Sequence, residues 1–220
     1  VDLPGYRVCA MCLPAFAVGG DFYDHYPVDG GTVFTVADVM GKGLGAAILT
    51  ATVRSALRGA SRAVGRVGTF DLGEAVTAAH DQIADDLDST DSFVTMFHLK
   101  LEPAGGLVQY VDAGHGFAAL VRRDGHVETL NSDDLPLGVL PNCSWLTNET
   151  HLEPGDTLVV GSDGVLDLVE DSEDEVGAVR DFVARYPEPS ELCAMARALV
   201  KQKPPMDDVT IVAIRRNLAT

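Results

Sequence analysis

The sequence predicts an α+β fold in which antiparallel sheets are flanked by pairs of helices. Two observations carry this. Strand signals come in meandering runs with tight turns between them, and helical signals come two at a time rather than alternating with strands as a doubly wound parallel sheet requires. A third observation sets the scale: 220 residues, 46% hydrophobic and 22% charged, suit one domain spanning residues 1–220 with a full core.

The elements follow in order. Tyr6–Leu13, Phe22–Val28 and Thr32–Asp38 read as strands, with Asp29-Gly30-Gly31 as the hairpin signal between the last two. The period then changes. From Leu44 to about Val64, Ile48, Leu49, Val53 and Leu57 recur at helical spacing among alanines, and Gly65–Thr69 reads as the break. A second helix is expected from about Leu72 to Leu87, with Asp71 as N-cap and Glu74 completing a capping box. Strands return at Phe93–Leu101, Leu107–Asp112, Phe117–Arg122 and His126–Leu130, then at Asp156–Gly161 and Asp208–Arg215. Two further helices, roughly Glu173–Ala184 and Glu191–Lys201, lie between those last two strands, broken by Arg185-Tyr186-Pro187-Glu188-Pro189.

Composition excludes some partners. Thirty-three acidic residues against sixteen basic ones give a formal charge of −17, and no cluster of Lys and Arg offers nucleic acid or anionic lipid a surface. No apolar run is long enough to span a bilayer and no signal peptide is visible. The chain opens at Val1 without Met, which suggests a piece of a longer protein. Cys9 and Cys12 form a C-x-x-C, a pattern that can be redox-active or bind zinc. On a strand, however, residues three apart face opposite sides. No second pair completes a zinc site. The four cysteines are therefore read as small buried hydrophobes in a reducing cytoplasm.

Four places put aspartate at the end of an apolar strand, beside glycine or another acid: Val18-Gly19-Gly20-Asp21-Phe22-Tyr23-Asp24, Val36-Ala37-Asp38-Val39-Met40-Gly41-Lys42-Gly43, Val160-Gly161-Ser162-Asp163-Gly164-Val165 and Met206-Asp207-Asp208-Val209-Thr210. Taken singly, an Asp beside Gly is a turn residue. Four together are a different matter, because an unpaired carboxylate at the end of a buried strand is costly. Converging strand ends of this kind make an oxygen-rich site suited to Mg²⁺ or Mn²⁺.

These runs, with Thr95-Met96-Phe97 and the turn Asp112-Ala113-Gly114-His115-Gly116, stand in an order that resembles the metal-dependent protein phosphatase (PPM) superfamily. The nearer match is its bacterial branch, related to the stage II sporulation protein E phosphatase and the environmental-stress phosphatases. The resemblance runs from about Tyr6 to Ile214. It implies a central antiparallel β-sandwich flanked by helix pairs, and a site with two Mn²⁺ or Mg²⁺ ions. Asp38 would bridge both ions, Asp163 and Asp207 would complete one, and Asp21 with the backbone carbonyl of Val39 would complete the other. Asp208 is set aside as a ligand, Asp24 is expected to support Asp21 or its turn, and Asp167 to sit behind the ligands. The implied activity is hydrolysis of phosphoserine or phosphothreonine in a protein by a metal-activated water. The implied substrate is an anti-sigma-factor antagonist, with regulatory or sensor domains in the longer protein. A catalytically silent module of the same fold is the rival reading; the retained aspartates argue against it. Whether the domain forms a homodimer is left open by the sequence.

Other phosphate chemistries lack their motifs: no Cys is followed five residues on by an Arg, no P-loop is present, and Gly41–Gly45 lacks dinucleotide spacing. The chain also departs from the eukaryotic relatives, having no His soon after Asp38 and no matching N-terminal Arg. The leaving-group acid and the phosphate contact therefore have no assigned residue. Lys42 is a candidate for the contact and equally a solvated loop lysine. His115 reads as a structural residue of its turn.

Overall fold

The fold is known from a computed structural model that describes residues 2–15, 19–41, 43–67, 70–132, 134–169 and 174–218. Two five-stranded antiparallel sheets form its centre. The first contains β1 (Tyr6–Leu13), β10 (Val209–Arg216), β9 (Thr157–Gly161), β6 (Ala118–Val121) and β7 (Val127–Thr129), in that spatial order. The second runs β2 (Asp21–Val28), β3 (Gly31–Val39), β4 (Val94–Glu102), β5 (Leu107–Ala113) and β8 (Asn148–His151).

Strand alternation assigns each residue to a layer. In β3, Phe34 and Val36 face the other sheet, where they meet Leu120, Leu158 and Val212. The intervening Val33, Ala37 and Val39 face outward, against Val53 and Leu57 of α1 (Leu44–Val67) and Val76 and Ile83 of α2 (Leu72–Ser89). On the far side, Met11, Val159 and Ile211 pack against Val183 of α3 (Glu175–Arg185) and Leu192 and Ala196 of α4 (Pro189–Gln202). The layering is thus helix pair, sheet, sheet, helix pair, the arrangement the strand runs and paired helices predict.

Local chemistry sets most boundaries. Asp71 Oδ1 accepts the Glu74 N–H at 2.9 Å and caps α2; Pro189 opens α4, where its missing N–H costs nothing. Three features differ from expectation. Helix α1 continues past Gly65 to Val67, because one glycine costs about 1 kcal/mol, less than a long packed helix gains. The strand β8 is polar and intermediate or exposed throughout, so no apolar alternation announces it. Asp163–Leu168 forms a 3₁₀ helix, a stretch to which the sequence assigns no element.

The cysteines also depart from the reading as plain buried thiols. Cys9 of β1 and Cys193 of α4 form a disulfide, their Cα atoms 6.6 Å apart, so cysteine usage no longer argues for a reducing compartment. Cys12 does face the other side of β1, its Sγ 3.8 Å from the Asp21 carbonyl. Cys12 and Cys143 are the free cysteines among the described residues. No helix of the described residues is long and apolar enough to cross a membrane.

Candidate metal centre

Strand register brings the first two motifs together. Asp21, at the start of β2, is the direct partner of Asp38, near the end of β3. Residues opposite each other in an antiparallel pair share a face. Asp38 alternates with Val36 and Phe34, so both carboxylates belong to the inter-sheet face, at one end of the sandwich. The turn before β2 is held close to the end of β3: the Val39 N–H donates to the Gly20 carbonyl at 3.2 Å. A side chain at residue 20 would meet the Val39 carbonyl oxygen at 2.3 Å and Asp38 Oδ1 at 2.8 Å. Only glycine permits this approach, which brings the Val39 carbonyl and the Asp38 carboxylate around the same peptide.

The other sheet contributes the remaining motifs at the same end. Asp163 follows β9 after one residue, Ser162, and Asp207-Asp208 precede β10, its neighbour. Ser162 ties the two segments. Its N–H donates to the Thr210 carbonyl at 3.0 Å, its hydroxyl donates to the Asp208 carbonyl at 3.1 Å, and Oγ accepts the Thr210 N–H at 3.0 Å. Gly164 lies so close that a Cβ there would stand 2.0 Å from the Asp208 carbonyl oxygen. Behind them, Asp167 Oδ2 accepts the Met206 N–H at 2.6 Å and the Asp207 N–H at 3.4 Å. Asp167 therefore orients the chain that carries Asp207.

Asp208 joins the two sheets. It is 4% exposed; Oδ1 accepts the Ala15 N–H at 2.8 Å and Oδ2 the Asp21 N–H at 3.5 Å. A side chain at Gly19 would overlap this carboxylate. Sequence alone set Asp208 aside without giving it this role; the signal was the doubled Asp before an apolar strand.

The electrostatics single out Asp21. Burial drives its carboxyl from the ordinary 3.8 up to about 8, with Asp38 and Asp208 adding repulsion. The nearby hydroxyls of Ser162 and Thr210 offset part of that rise, but neither makes a well-aligned hydrogen bond to the buried Oδ2, and Thr210 Oγ1 likewise lacks one. A buried carboxylate oxygen left unsatisfied among further acids fits a cation as its partner. The donors nearby are all oxygens, which suits Mg²⁺ or Mn²⁺. Among the described residues, no three His, Cys, Asp or Glu side chains already stand at ion-holding spacing. The structure thus pairs Asp21 with Asp38 and Asp163 with the Asp207 segment without closing a full ligand set.

The remaining residues sort by their contacts. His115 is 5% exposed, with Nδ1 3.3 Å from Thr95 Oγ1, and burial lowers its pKa to about 4. Its N–H and that of Gly116 donate to Asp112 Oδ1 at 2.8 and 3.3 Å, a structural turn as expected. Asp24 does not support Asp21 or its turn: it faces α1, where Arg54 and Arg58 hold it. Lys42 lies outside the described residues.

Comparison with known proteins identifies relatives of this chain and of its fold. The sequence profile of the stage II sporulation protein E (SpoIIE) family matches residues 28–217. Protein IcfG of Synechocystis sp. is 26% identical over 245 residues, covering 98% of this chain and 39% of that protein. Phosphoserine phosphatase RsbU of Bacillus subtilis is 25% identical over 223 residues, covering 95% of this chain and 63% of that protein. The chain therefore spans less than two thirds of the length of either relative. Among solved structures, the RsbU and RsbW domains of Rv1364c from Mycobacterium tuberculosis superpose with a TM-score of 0.79 at 25% identity, covering 99% of this chain and 63% of that one. The catalytic domain of the serine/threonine protein phosphatase PstP, solved with two manganese ions, shares the fold at 20% identity with a TM-score of 0.70, covering 96% of this chain and 97% of that one.

Proposed function

Because the chain belongs to the stage II sporulation protein E family, we propose that it is a metal-dependent phosphatase acting on phosphoserine or phosphothreonine in a protein. The observation that carries the reading is the register pairing of Asp21 with Asp38, with the buried Asp21 Oδ2 lacking a well-aligned hydrogen bond, facing the end of the other sheet from which Asp163 and Asp207 emerge. Asp38 is assigned to both Mn²⁺ or Mg²⁺ ions, Asp163 and Asp207 to one of them, and Asp21 with the Val39 carbonyl to the other. Two cations held there would acidify a water and offset the negative charge of the phosphoryl group.

The chain's own residues do the positioning. Gly20 admits the Val39 carbonyl, the Ser162 hydroxyl locks Asp208 to β10, and Asp167 fixes the backbone ahead of Asp207. His115 is neutral, buried and packed on Thr95, which makes it a poor acid for the leaving alkoxide. The substrate we propose is a phosphorylated anti-sigma-factor antagonist, with regulatory domains attached in the longer protein.

The test is hydrolysis of p-nitrophenyl phosphate and of phosphoserine, phosphothreonine and phosphotyrosine proteins, after EDTA and again after adding Mn²⁺. Activity should return with the metal and favour phosphoserine or phosphothreonine. Asp38→Asn, Asp163→Asn and Asp207→Asn should each lose most of it. Asp124→Asn should not, since that side chain only accepts the His126 N–H within an exposed turn. Activity surviving EDTA overturns the metal-dependent reading. Metal binding without hydrolysis of any substrate leaves the silent module.

A further inference from the structure

A groove of about 460 Å³ lies between β2 and the first half of α1, and its charge runs against that of the chain. In a protein of formal charge −17, two guanidinium groups meet there over one carboxylate. Arg58 is the more committed of the two. It donates through Nε and Nη2 to both oxygens of Asp24, donates to the His25 carbonyl at 3.3 Å, and lies over the Tyr26 ring 5.0 Å from its centroid. That bidentate pairing already satisfies Asp24, whose side chain is 5% exposed. Arg54 is different. Among the described residues its side chain makes one hydrogen bond, to Asp24 Oδ1 at 3.1 Å, and remains 50% exposed. A guanidinium carries five N–H donors, so most of Arg54's capacity opens on the groove. Two cations on one anion leave the groove a net positive charge.

The groove connects with the metal centre through one residue. Thr50, in its wall, donates through Oγ1 to the Gly20 carbonyl at 3.3 Å, and Gly20 is the peptide that packs on Val39 and Asp38. Asp24 stands three residues along β2 from Asp21 but on the opposite, α1-facing side of the sheet, so a substrate reaching both must pass round the edge of β2. Along the strand the separation is roughly 10 Å at 3.3 Å per residue. An extended peptide covers that distance in about three residues. β2 is also the edge strand of its sheet, a backbone alongside which an extended segment can lie.

We propose that this groove is a specificity subsite, in which Arg54 receives an acidic side chain of the substrate about three residues from the phosphorylated serine or threonine. The proposal rests on the phosphatase reading and deepens it, since it concerns which phosphoproteins the site accepts. Arg58 acts as a positioning residue: by occupying Asp24 it leaves Arg54 available.

The experiment uses a set of phosphoserine peptides that differ at one position, carrying Glu, Ala or Lys in turn at each of the three positions on either side. Both kcat/KM with Mn²⁺ and equilibrium binding are measured. At one position, wild type should favour Glu over Ala by about tenfold, the worth of one charge-assisted contact. Arg54→Gln should bring that ratio close to one, and Arg54→Glu should reverse it in favour of Lys. Unchanged melting temperatures for both variants show that the fold is kept. The proposal is overturned if wild type shows no preference at any position, or if the preference survives in both variants. If no peptide and no p-nitrophenyl phosphate is hydrolysed, the phosphatase reading falls. The binding series then decides the subsite by itself, because the same order of affinities must still appear.

Discussion

Replacing Asp21 by Asn should stabilise the metal-free protein, and should do so more strongly as pH rises. Burial and two neighbouring carboxylates push Asp21 from 3.8 to about 8. A group whose folded pKa is raised holds a proton that the unfolded chain releases. Its destabilisation is therefore absent well below pH 4, grows as pH rises from about 4 to about 8, and is constant above. At 1.36 kcal/mol per pKa unit the full penalty has a ceiling of roughly 6 kcal/mol. Asp21 keeps some contact with solvent, so a gain of about 1–3 kcal/mol at pH 8.5 is expected, or roughly 3–10 °C in melting temperature for a chain of this size. Asn carries no charge at any pH, so the gap between variant and wild type should shrink toward zero near pH 4. The assay is a pair of melting curves in EDTA across that range; taking the difference cancels the other titrating groups. In Mn²⁺ the order should invert, because wild type gains stability from the ion and the variant does not. A gap independent of pH, or an Asp21→Asn protein less stable than wild type at pH 8.5 in EDTA, would show that this carboxylate is a structural partner.

Gly20→Ala should raise the Mn²⁺ concentration needed for half-saturation by tenfold or more, read by calorimetric titration, because its methyl would press on the Val39 carbonyl and Asp38. Gly59→Ala, on a stretch of α1 with nothing near the added carbon, should be neutral or stabilise by up to about 1 kcal/mol in thermal unfolding. Asp156→Ala should cost about 3 kcal/mol in urea unfolding with no change in metal affinity: this 2% exposed carboxylate holds Arg122 and accepts the N–H groups of Arg123 and Glu153, far from the metal centre along β9. Asp71→Ala should cost about 1 kcal/mol by removing the α2 cap, measured the same way.

The sequence was most legible where one face of an element is apolar. Tyr6–Leu13 and the start of α1 at Leu44 stand where alternation and helical spacing place them. β8 escaped because Asn148–His151 is an edge strand, fixed by pairing with β5 and not by burial. Half of the candidate site was legible in the same way: a tight hairpin makes Asp21 and Asp38 opposite partners. The meeting of Ser162 with Asp208 was not, because it depends on two strands joined across 46 residues. The Asp24–Arg58 pair spans 34 residues, and the arginines four apart on α1 signal only that they share a face. The Cys9–Cys193 bond shows the limit most plainly. Four cysteines allow three full pairings, and spacing ranks none of them.

The pairing of β1 with β10 has a mechanical consequence. Tyr6 stands opposite Arg216, and the Asn217 N–H donates to the Gly5 carbonyl at 2.8 Å, so the chain enters and leaves at one corner. Tension applied through both ends would load this ladder as a zipper, one pair of residues at a time, and not as a sheet in shear. Peeling would pass Arg7 and Val8 and then reach Cys9, whose covalent tie to α4 hands the load to a helix in a different layer. The bond thus shields the rest of β1 from the load, which passes to α4 and β10 alone, and a reductant would let the tear run along β1 as well, toward the end of the sandwich that carries the aspartates.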